Sequence, residues 1–442
     1  MRSLAGEYLA PALRAVLDAS NLEGADRSLV TDISYGTVRR LIQIDSSLSD
    51  LLKAPGKLPP RVLAALRIAS YEMLHRGTPT YAAVSAWVEI IKWDTPALAG
   101  LANAVLRRVG ARAGDAGSDD RKGSEQEAPA DELSLPAWLL QRFESALGCD
   151  AARQAALGML EPEPLWLTAF SPKALELLDT DGCEVSEGPR FTDIFTDIQR
   201  REDGESSWPQ SLAVRSPLPL NRLAAFRQGL VQPQNPSSLY AALMLGAARD
   251  EKVLDLASGQ GVKSAVLAAS GAEVVSVELL ADRSRAAQAN LERLSRHQEL
   301  KVRHLIADLS SPPTDELLAA VGEPATSALL DAPCSGTGTL RGNPEIKLRL
   351  TPADVATLVR TQAALLDTAT ELLAPGGRLL YAVCALTPEE GPEQIDNFLG
   401  RHKDFEALAF RPGLPHVSTT GGNFILPVNG LDGFFLSLMR KN

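Results

Sequence analysis

Two cysteines in the carboxyl-terminal half of the sequence each follow a short apolar segment and lie in a loop punctuated by Gly or Pro. Cys334 stands three residues after Asp331 in LLDAPCSGTG, and Cys384 stands in RLLYAVCALTPEE. A single cysteine at a strand end is most often an unreactive core thiol. Two of them, at the ends of two strands of one sheet, predict a shared active site, because open α/β sheets bind ligands at the carboxyl ends of their strands.

A reaction that requires two thiols is methylation of a pyrimidine ring at C5. That carbon is a poor nucleophile until a thiolate adds to C6, and a base must afterwards remove the C5 proton so that the thiol can leave. A free thiol is mostly protonated at neutral pH, so the nucleophile needs positive charge nearby. Lys263 is a candidate for part of that charge.

A Gly-rich turn upstream supplies a second motif. In VLDLASGQGVKS a predicted strand is followed by Gly259 and Gly261, which let a ligand approach the backbone closely, and then by a helix start. Glu278, at the end of the next strand, could accept both hydroxyls of a ribose, and Asp308, after the third strand, could bond an adenine amino group. A nicotinamide dinucleotide is the competing ligand. The missing third glycine and the acidic Asp255 favour the sulfonium cofactor S-adenosylmethionine.

The sequence from Gly229 onward alternates apolar strand-like segments with helical ones, which predicts a doubly wound α/β sheet. Thr351, Pro352 and Asp354 form an N-terminal capping pattern for one of its helices. The predicted strands are Lys252–Leu256, Val274–Val277, His304–Ala307, Ala328–Leu330, Arg378–Val383 and Phe434–Leu438.

Three further segments precede this sheet. Residues 1–112 show helical periodicity throughout and predict an all-α domain. Residues 113–134 are rich in Gly, Ser, Asp and Glu and predict a flexible acidic linker. Residues 135–228 mix short strand and helix signals and predict a small α+β module ahead of the α/β domain at 229–442.

The net charge of −11 is unevenly distributed along the chain. Residues 1–112 carry 14 Lys or Arg and 10 Asp or Glu, so a mildly basic segment precedes an acidic body. Paired arginines at 39–40 and at 107–108 lie on predicted helices and could either be solvated or contact phosphate. Together with Arg341 and Lys347, these arginines are predicted to form a local basic groove.

The four cysteines form neither a disulfide framework nor a CxxC metal pattern, so reduced thiols and no metal site are expected. No apolar run reaches the roughly 18 residues that a membrane span requires. The N-terminal stretch MRSLAGEYLA lacks the apolar segment of a signal peptide. We therefore expect a cytoplasmic protein that is not associated with a membrane. We also expect it to be a monomer.

Motifs in both halves of the chain resemble known families. DRSLVTDISYGTVRR, RIASYEMLHRGTPTYAAVSAWVEIIK and GLANAVLRRV resemble the NusB-like RNA-binding domain, and PCSGTG with YAVCALTPEE resembles the RNA cytosine-C5 methyltransferases. Their combination is similar to the RsmB (Sun/Fmu) family, which acts on 16S ribosomal RNA. QGLVQPQNPSS and GLDGFFLSLMRK extend the similarity over nearly the whole chain. The resemblance implies an all-α NusB-like domain, a small α+β module and a class I, Rossmann-like methyltransferase domain.

The resemblance also implies roles for individual residues. Cys384 would be the nucleophile that bonds to C6 of a cytosine in 16S rRNA, and Cys334 would assist resolution of that adduct. Asp331 would bond the N3/N4 edge of a base that has left its stack. The methyl donor would be S-adenosyl-L-methionine, and the residues implied to bind it are Ala257, Ser258, Gly259, Gln260, Gly261, Val262, Lys263, Glu278, Asp308 and Asp331.

The sequence departs from the family pattern at several positions. The family loop CAAPGGKT reads ASGQGVKS, with Gln260 and Val262 in place of Pro and Gly; TCS at the second cysteine reads VCA, and PEEN reads PEEG. Two alternatives therefore stay open: a C5 methyltransferase acting on tRNA or 23S rRNA, and a non-catalytic RNA-binding or ribosome assembly factor on a methyltransferase scaffold. The retention of both thiols and of Asp331 favours an enzyme.

Overall fold

The computed structural model describes residues 8–116, 130–191 and 209–442, and these divide between two compact units. The first unit comprises the described residues up to Glu144, with Ala156–Pro162 and Leu340–Arg349. The second unit comprises Ser145–Ala155, Glu163–Thr339 and Leu350–Asn442.

The first unit is helical, as its periodicity predicted. Its core contains fully buried Ile44, Leu66 and Leu106, around which Val84 and Ile91 pack from a stripe at helical spacing. Its main helices are α1 (Leu9–Asp18), α2 (Gly24–Arg39), α3 (Leu41–Ser49), α4 (Pro60–His75), α5 (Thr80–Asp94) and α6 (Ala99–Ala116).

The predicted linker at 113–134 is partly ordered. Residues 113–116 continue α6, and residues 130–134 form turns in which Leu133 is buried. Ser46 Oγ donates to Asp131 Oδ2 at 2.6 Å and fixes those turns. Composition concealed this order because one buried leucine and one hydrogen bond suffice to hold a polar segment. The middle of the linker, 117–129, lies outside the described residues.

The α+β module is built on a four-stranded antiparallel sheet with strand order β2-β3-β1-β4. Strand β4 (Val231–Pro233) pairs with β1, so this sheet extends past the boundary predicted at residue 228. Three residues are too few to show an alternating pattern in the sequence. The other elements here are α7 (Ala137–Leu147), α8 (Cys149–Gly158), β1 (Leu165–Ala169), α9 (Lys173–Thr180), β2 (Glu184–Glu187), β3 (Gln210–Arg215) and α10 (Ala224–Arg227).

A nine-stranded sheet forms the centre of the second unit, and all six strands predicted for it are present. Its strand order is β11-β12-β13-β9-β8-β5-β6-β7, with β10 paired to β13. The five neighbouring strands β9, β8, β5, β6 and β7 are parallel, and β13 runs antiparallel to β9. The strands are β5 (Lys252–Leu256), β6 (Glu273–Glu278), β7 (Val302–Ile306), β8 (Ala325–Asp331), β9 (Leu373–Val383), β10 (Phe405–Leu408), β11 (His416–Thr419), β12 (Gly422–Ile425) and β13 (Phe434–Lys441).

Helices cover the parallel strands, whose central residues, such as Leu254 and Leu329, are fully buried. The capping pattern predicted for the longest helix is confirmed: Thr351 Oγ1 accepts from Asp354 N, and Asp354 Oδ2 accepts from Thr351 N. These helices are α11 (Pro236–Met244), α12 (Val262–Ala269), α13 (Ala281–Leu294), α14 (Asp315–Val321), α16 (Pro352–Leu372) and α17 (Pro392–Arg401); the short α15 (Ile346–Arg349) belongs to the first unit.

The strand order places a topological switch between β5 and β8, because the chain leaves β5 toward β6 on one side and returns to β8 on the other. In open α/β sheets the carboxyl ends of strands at such a switch form the ligand crevice. Among the described residues, no helix has the length and apolar content to cross a bilayer.

Candidate active site

Two cysteines that are 50 positions apart in sequence meet at the carboxyl edge of the sheet. Asp331 ends β8 and Cys334 follows it, while Cys384 directly follows β9, the parallel neighbour of β8. The Sγ atoms of Cys334 and Cys384 lie 3.2 Å apart, within hydrogen-bonding distance and far longer than a disulfide bond. The structure thus brings together the two thiols that the sequence singled out.

The two thiols are not equivalent. The hydrogen bond with Cys384, together with burial and the negative charges of Cys384 and Glu390, raises the pKa of Cys334 well above that of a free thiol. Cys334 therefore retains its proton at neutral pH.

Lys263 is the positive group of this site. Its Nζ donates to Asp331 Oδ2 at 2.6 Å and lies 5.5 Å from the centre of the Phe434 ring. Burial alone would lower the pKa of Lys263, but the charges of Asp331, Cys384 and Asp255 and the hydrogen bond to Asp331 raise it above its ordinary value. The ammonium group is thus charged, shielded from water and close enough to Cys384 to interact with it electrostatically.

The loops that carry the thiols, residues 332–339 and 384–391, are here called the cysteine loops. Glu390, fully buried, accepts hydrogen bonds from Ser335 N at 2.8 Å, Gln362 Nε2 at 3.0 Å and Thr387 Oγ1 at 2.8 Å. Gly338 N donates to the carbonyl of Cys384 at 2.9 Å. A Cβ on Gly338 would lie 2.0 Å from the backbone oxygen of Gly433, so only glycine fits there. The positions of both thiols are fixed by these buried contacts.

The loop at residues 257–261, here called the glycine loop, joins β5 to α12. Three of its residues have left-handed backbone conformations: Ala257 with φ 59°, Gly259 with φ 59° and Gly261 with φ 71°. Such a conformation is unfavourable for alanine and is found mainly where a site requires it. Nothing lies within 4 Å of the position that a Cβ on Gly259 would occupy, so this side of the loop is open to a ligand.

The remaining residues predicted to bind a cofactor surround the glycine loop. Glu278 ends β6, and its two carboxylate oxygens accept from Gly259 N at 2.8 Å and Leu280 N at 2.9 Å. Asp308 is exposed just beyond β7, where its carboxylate accepts from Ser310. Ser310 hydrogen bonds lower the pKa of Asp308. Carboxylates after β6 and β7 beside an open glycine suit a ligand with a ribose and an amino group, so these residues fit S-adenosylmethionine.

Asp255 does not lie beside the site of a bound cation, as its position in the sequence predicted. Its side chain is fully buried and its Oδ2 accepts from Ser264 Oγ at 2.5 Å, so it joins β5 to α12 instead of facing a cation. Burial raises the pKa of Asp255 to about 7, assisted by the charges of Asp331 and Glu278 and opposed by the Ser264 hydrogen bond.

The predicted basic groove is wrong with respect to Arg39, Arg341 and Lys347, which are 5%, 3% and 3% exposed within the first unit. Arg39 donates two hydrogen bonds to the carbonyl of Arg341, and Lys347 Nζ donates to the carbonyl of Arg39. Burial, with the charges of Arg39 and Arg40, lowers the pKa of Lys347 to about 7. Their position in sequence, just after a catalytic-type loop, gave no signal of this burial.

Two supporting residues carried no functional signal in the sequence. Glu390 organises the cysteine loops, and Gln232 Nε2 donates to the carbonyl of Val262 at the start of α12 and to Gln234 Oε1. Gln232 is itself fully buried. Both lie in stretches that resembled the family, QGLVQPQNPSS and TPEEG, but a buried role for a polar residue requires the tertiary contacts to be known.

Comparisons with known proteins identify related families and folds. Residues 242–440 match the family described as 16S rRNA methyltransferase RsmB/F, and residues 2–111 match the NusB family. The solved structure of PH0851 is 23% identical with a TM-score of 0.72, covering 97% of this chain and 93% of that one. A methyltransferase homologue from Pyrococcus horikoshii is 23% identical with a TM-score of 0.55, covering 71% and 97%. Both likenesses show the fold.

The similarity to a curated relative is stronger. The ribosomal RNA small subunit methyltransferase B of Thermus thermophilus is 39% identical over 417 residues, which cover 94% of this chain and 89% of the relative. The match spans both the helical region and the sheet with its two thiols. The chain therefore belongs to the ribosomal RNA small subunit methyltransferase B (RsmB) family.

Proposed function

We propose that this protein transfers a methyl group from S-adenosylmethionine to C5 of a cytosine in 16S ribosomal RNA, through a covalent bond between Cys384 and C6 of the base. The observation that carries the proposal is the 3.2 Å contact between the two thiols at the switch-point edge of the sheet. The name of the Thermus thermophilus relative supports the class of RNA. The proposal includes action in the cytoplasm as a monomer.

The first step is addition of Cys384 Sγ to C6 of the cytosine. Positive charge beside a thiol favours the nucleophilic thiolate, and the buried Lys263 supplies that charge. The hydrogen bond from Cys334 stabilises a thiolate on Cys384 and leaves the proton on Cys334. Formation of the S–C6 bond shifts the electron pair of the C5–C6 double bond toward C5, and C5 becomes nucleophilic.

Asp331 is suited to hold the base. Its side chain is 32% exposed, in contrast to the 10% exposure of the Lys263 side chain with which it pairs. A carboxylate oxygen that Lys263 does not use can accept from the exocyclic N4 amino group, and the paired ammonium stabilises the charge that develops on the ring during attack. The base must leave its stack to reach this edge.

The methyl donor fits the glycine loop, Glu278 and Asp308, with the open side of Gly259 next to it. When bound, S-adenosylmethionine supplies an electrophilic methyl group on a sulfonium. Gln260 is exposed and Val262 contributes its carbonyl to Gln232, so the two departures from the family loop leave the space beside Gly259 open.

Resolution of the adduct requires a base at C5, and the geometry supports Cys334 in that role. The hydrogen bond with Cys384 raises the pKa of Cys334 most, followed by burial and then by the negative charge of Cys384. Once Cys384 is bonded to C6, that negative charge is gone and the pKa of Cys334 falls. Cys334 then gives its own proton to water, and its thiolate can remove the C5 proton; the electron pair of the C5–H bond restores the C5–C6 double bond, and Cys384 leaves as the thiolate with the electron pair of the S–C6 bond.

The decisive experiment measures transfer of labelled methyl groups to unmodified 16S rRNA, with tRNA and 23S rRNA as comparison substrates. We expect transfer by the wild type, none by Cys384→Ala, and a covalent protein–RNA adduct that accumulates with Cys334→Ala. Cys149→Ala, a change at an exposed cysteine, is the matched control and should leave transfer intact.

Other outcomes would replace the proposal. RNA binding without transfer by the wild type would favour a non-catalytic assembly factor. Preferential transfer to tRNA or 23S rRNA would change the substrate. Transfer that survives Cys384→Ala would mean that another residue is the nucleophile.

A further inference from the structure

The second unit contains a cavity of about 650 Å³ between α10 and the end of α13. Three arginines line it, Arg227, Arg293 and Arg296, together with Phe226 and Gln228, and none of its lining residues carries a carboxylate. It is here called the arginine cavity. An uncompensated positive cavity is notable in a chain whose net charge is −11.

Arg293 is held in one orientation. Its Nη1 donates to the carbonyls of Phe226 at 2.7 Å and Val231 at 2.8 Å, and its Nη2 donates to Asn290 Oδ1 at 2.7 Å. The guanidinium also stacks over the Phe226 ring, 4.0 Å from its centre. Burial and the charge of Arg296 lower the pKa of Arg293 to about 10, so the group stays charged at neutral pH beside a second positive group.

Arg227 and Arg296 complete the cavity at its exposed side. Arg296 Nη1 donates to the backbone carbonyl of Arg227 at 2.7 Å, which holds the Arg296 guanidinium beside α10. Within the part of the chain that the structure describes, no Asp or Glu forms an ion pair with any of the three cavity arginines. Elsewhere in the same unit arginines are paired, as Arg378 is with Glu251 and Arg440 is with Glu406.

The position of the cavity separates it from the thiols. Helix α13 starts at Ala281, just after the carboxyl end of β6, and Arg293 lies in its last turn. Twelve residues of helix at about 1.5 Å each place Arg293 roughly 18 Å along the axis from the edge of the sheet that carries the site. None of the residues that line the cavity is among those predicted to bind the cytosine or the methyl donor, so a ligand there would be distinct from both.

We propose that the arginine cavity binds backbone phosphates of the RNA substrate, several nucleotides away from the methylated base. Planar guanidinium groups match phosphate oxygens, and a carboxylate-free lining admits an anion without repulsion. Phosphate is favoured over a base as the occupant, because Arg293 already covers the Phe226 ring on which a base would stack. The inference rests on the proposed function, since it takes RNA as the substrate.

The test uses the full chain with Arg227 and Arg296 both changed to Gln; Arg293 is left in place because it holds two backbone carbonyls. Binding to unmodified 16S rRNA is measured between about 50 and 200 mM salt, and the slope of log affinity against log salt should fall by about 1.4 to 1.8 for two lost phosphate contacts. Affinity should drop roughly tenfold at the lower salt, and the KM for RNA should rise with it.

Two further variants make the result specific. Arg153→Gln with Arg249→Gln removes the same charge from exposed positions elsewhere in the unit, and it should change the slope by less than half as much. Arg227→Lys with Arg296→Lys keeps the charge and should restore most of the slope. An unchanged slope in the Gln variant, or an equal change in the Arg153 and Arg249 control, would overturn the proposal.

The inference can fail independently of the proposed function. If the wild type transfers methyl groups to RNA but the salt slope is unchanged when Arg227 and Arg296 are replaced, the cavity proposal alone would be wrong. If the wild type transfers no methyl group but the Gln variant loses salt-dependent RNA binding, the proposed reaction would be wrong and the cavity proposal would be supported.

Discussion

The cysteine loops and the glycine loop lie at the same edge of one sheet, yet they are held in different ways. The cysteine loops are fixed by side chains: the Glu390 carboxylate takes three buried hydrogen bonds, and Gly338 packs directly against the backbone of Gly433. The glycine loop is fixed by backbone conformation, with Ala257, Gly259 and Gly261 all at positive φ and open space beside Gly259.

This difference matches two chemical tasks. In the proposed reaction one thiol attacks the ring and the other removes a proton from it, so the two sulfur atoms have to be positioned closely, and packed buried contacts provide that. A loop that admits a ligand cannot be filled with side chains, so its shape must come from the main chain. Changes in the cysteine loops should therefore cost stability and rate together, whereas changes in the glycine loop should mainly cost donor affinity.

The strongest test of this distinction is Gly338→Ala. The added Cβ would lie 2.0 Å from the backbone oxygen of Gly433, which cannot move without displacing β13. We expect a loss in the free energy of unfolding on the order of 5 kcal/mol and loss of transfer. Urea denaturation measures it, with Gly400→Ala as the control, because no atom lies within 4 Å of a Cβ there. Stability equal to that control would contradict the packing described for Gly338.

Asp255 should make the free energy of unfolding depend on pH. Its pKa is raised to about 7 in the folded state, so the folded state binds the proton more tightly than the unfolded chain does. The stabilisation is complete below the unfolded pKa of about 4 and is lost as pH rises through about 7. Asp255→Asn should remove this pH-dependent part of the free energy of unfolding, which amounts to up to about 4 kcal/mol.

The measurement compares the free energy of unfolding of Asp255→Asn and of the wild type at pH 5 and pH 8. The difference in favour of the variant should grow with pH. A difference that does not change with pH would show that Asp255 titrates as an ordinary carboxyl group does.

Glu390→Ala should cost about 3 kcal/mol of stability, because Ser335 N, Gln362 and Thr387 lose buried acceptors. Transfer should fall with little change in donor affinity, since Glu390 positions the thiols. Glu390→Gln should restore most of the rate, because its amide oxygen can keep the bonds from Ser335 and Gln362 while the Thr387 hydroxyl rotates to accept. Glu371→Ala, at an exposed position on α16, is the control. Equal rates of methyl transfer for the Ala and Gln variants would show that Glu390 does not position the thiols.

The smallest effect on stability is expected for Gly259→Ala. Alanine at φ 59° costs about 1 to 2 kcal/mol, and its Cβ would enter the open side of the loop. Donor affinity, measured by calorimetry with S-adenosylhomocysteine, should fall roughly tenfold, equivalent to 1.4 kcal/mol. Gly376→Ala introduces the same strain at φ 78° in open space away from the site and should leave donor affinity unchanged. Equal donor affinity in the two variants would refute donor binding beside Gly259.

Much of the molecule could be predicted from local sequence. The six strands of the large sheet were visible as apolar runs, which are typical of parallel strands buried on both faces, and the Thr351 cap is a local motif. The sequence also marked the two cysteines and Asp331, because each stands just after such a run. Strand β4 and the packed turns around Leu133 were missed, since three residues or one leucine carry no periodicity.

Only the tertiary structure decided which of these groups meet. The sheet order placed Cys334 within 3.2 Å of Cys384 and paired Lys263 with Asp331, contacts between positions 50 and 68 residues apart. The same packing buried Asp255, which had been expected to face a ligand. A side chain's type and local period are properties of its neighbours in sequence, whereas its burial and its partners depend on elements that the chain brings back from a distance.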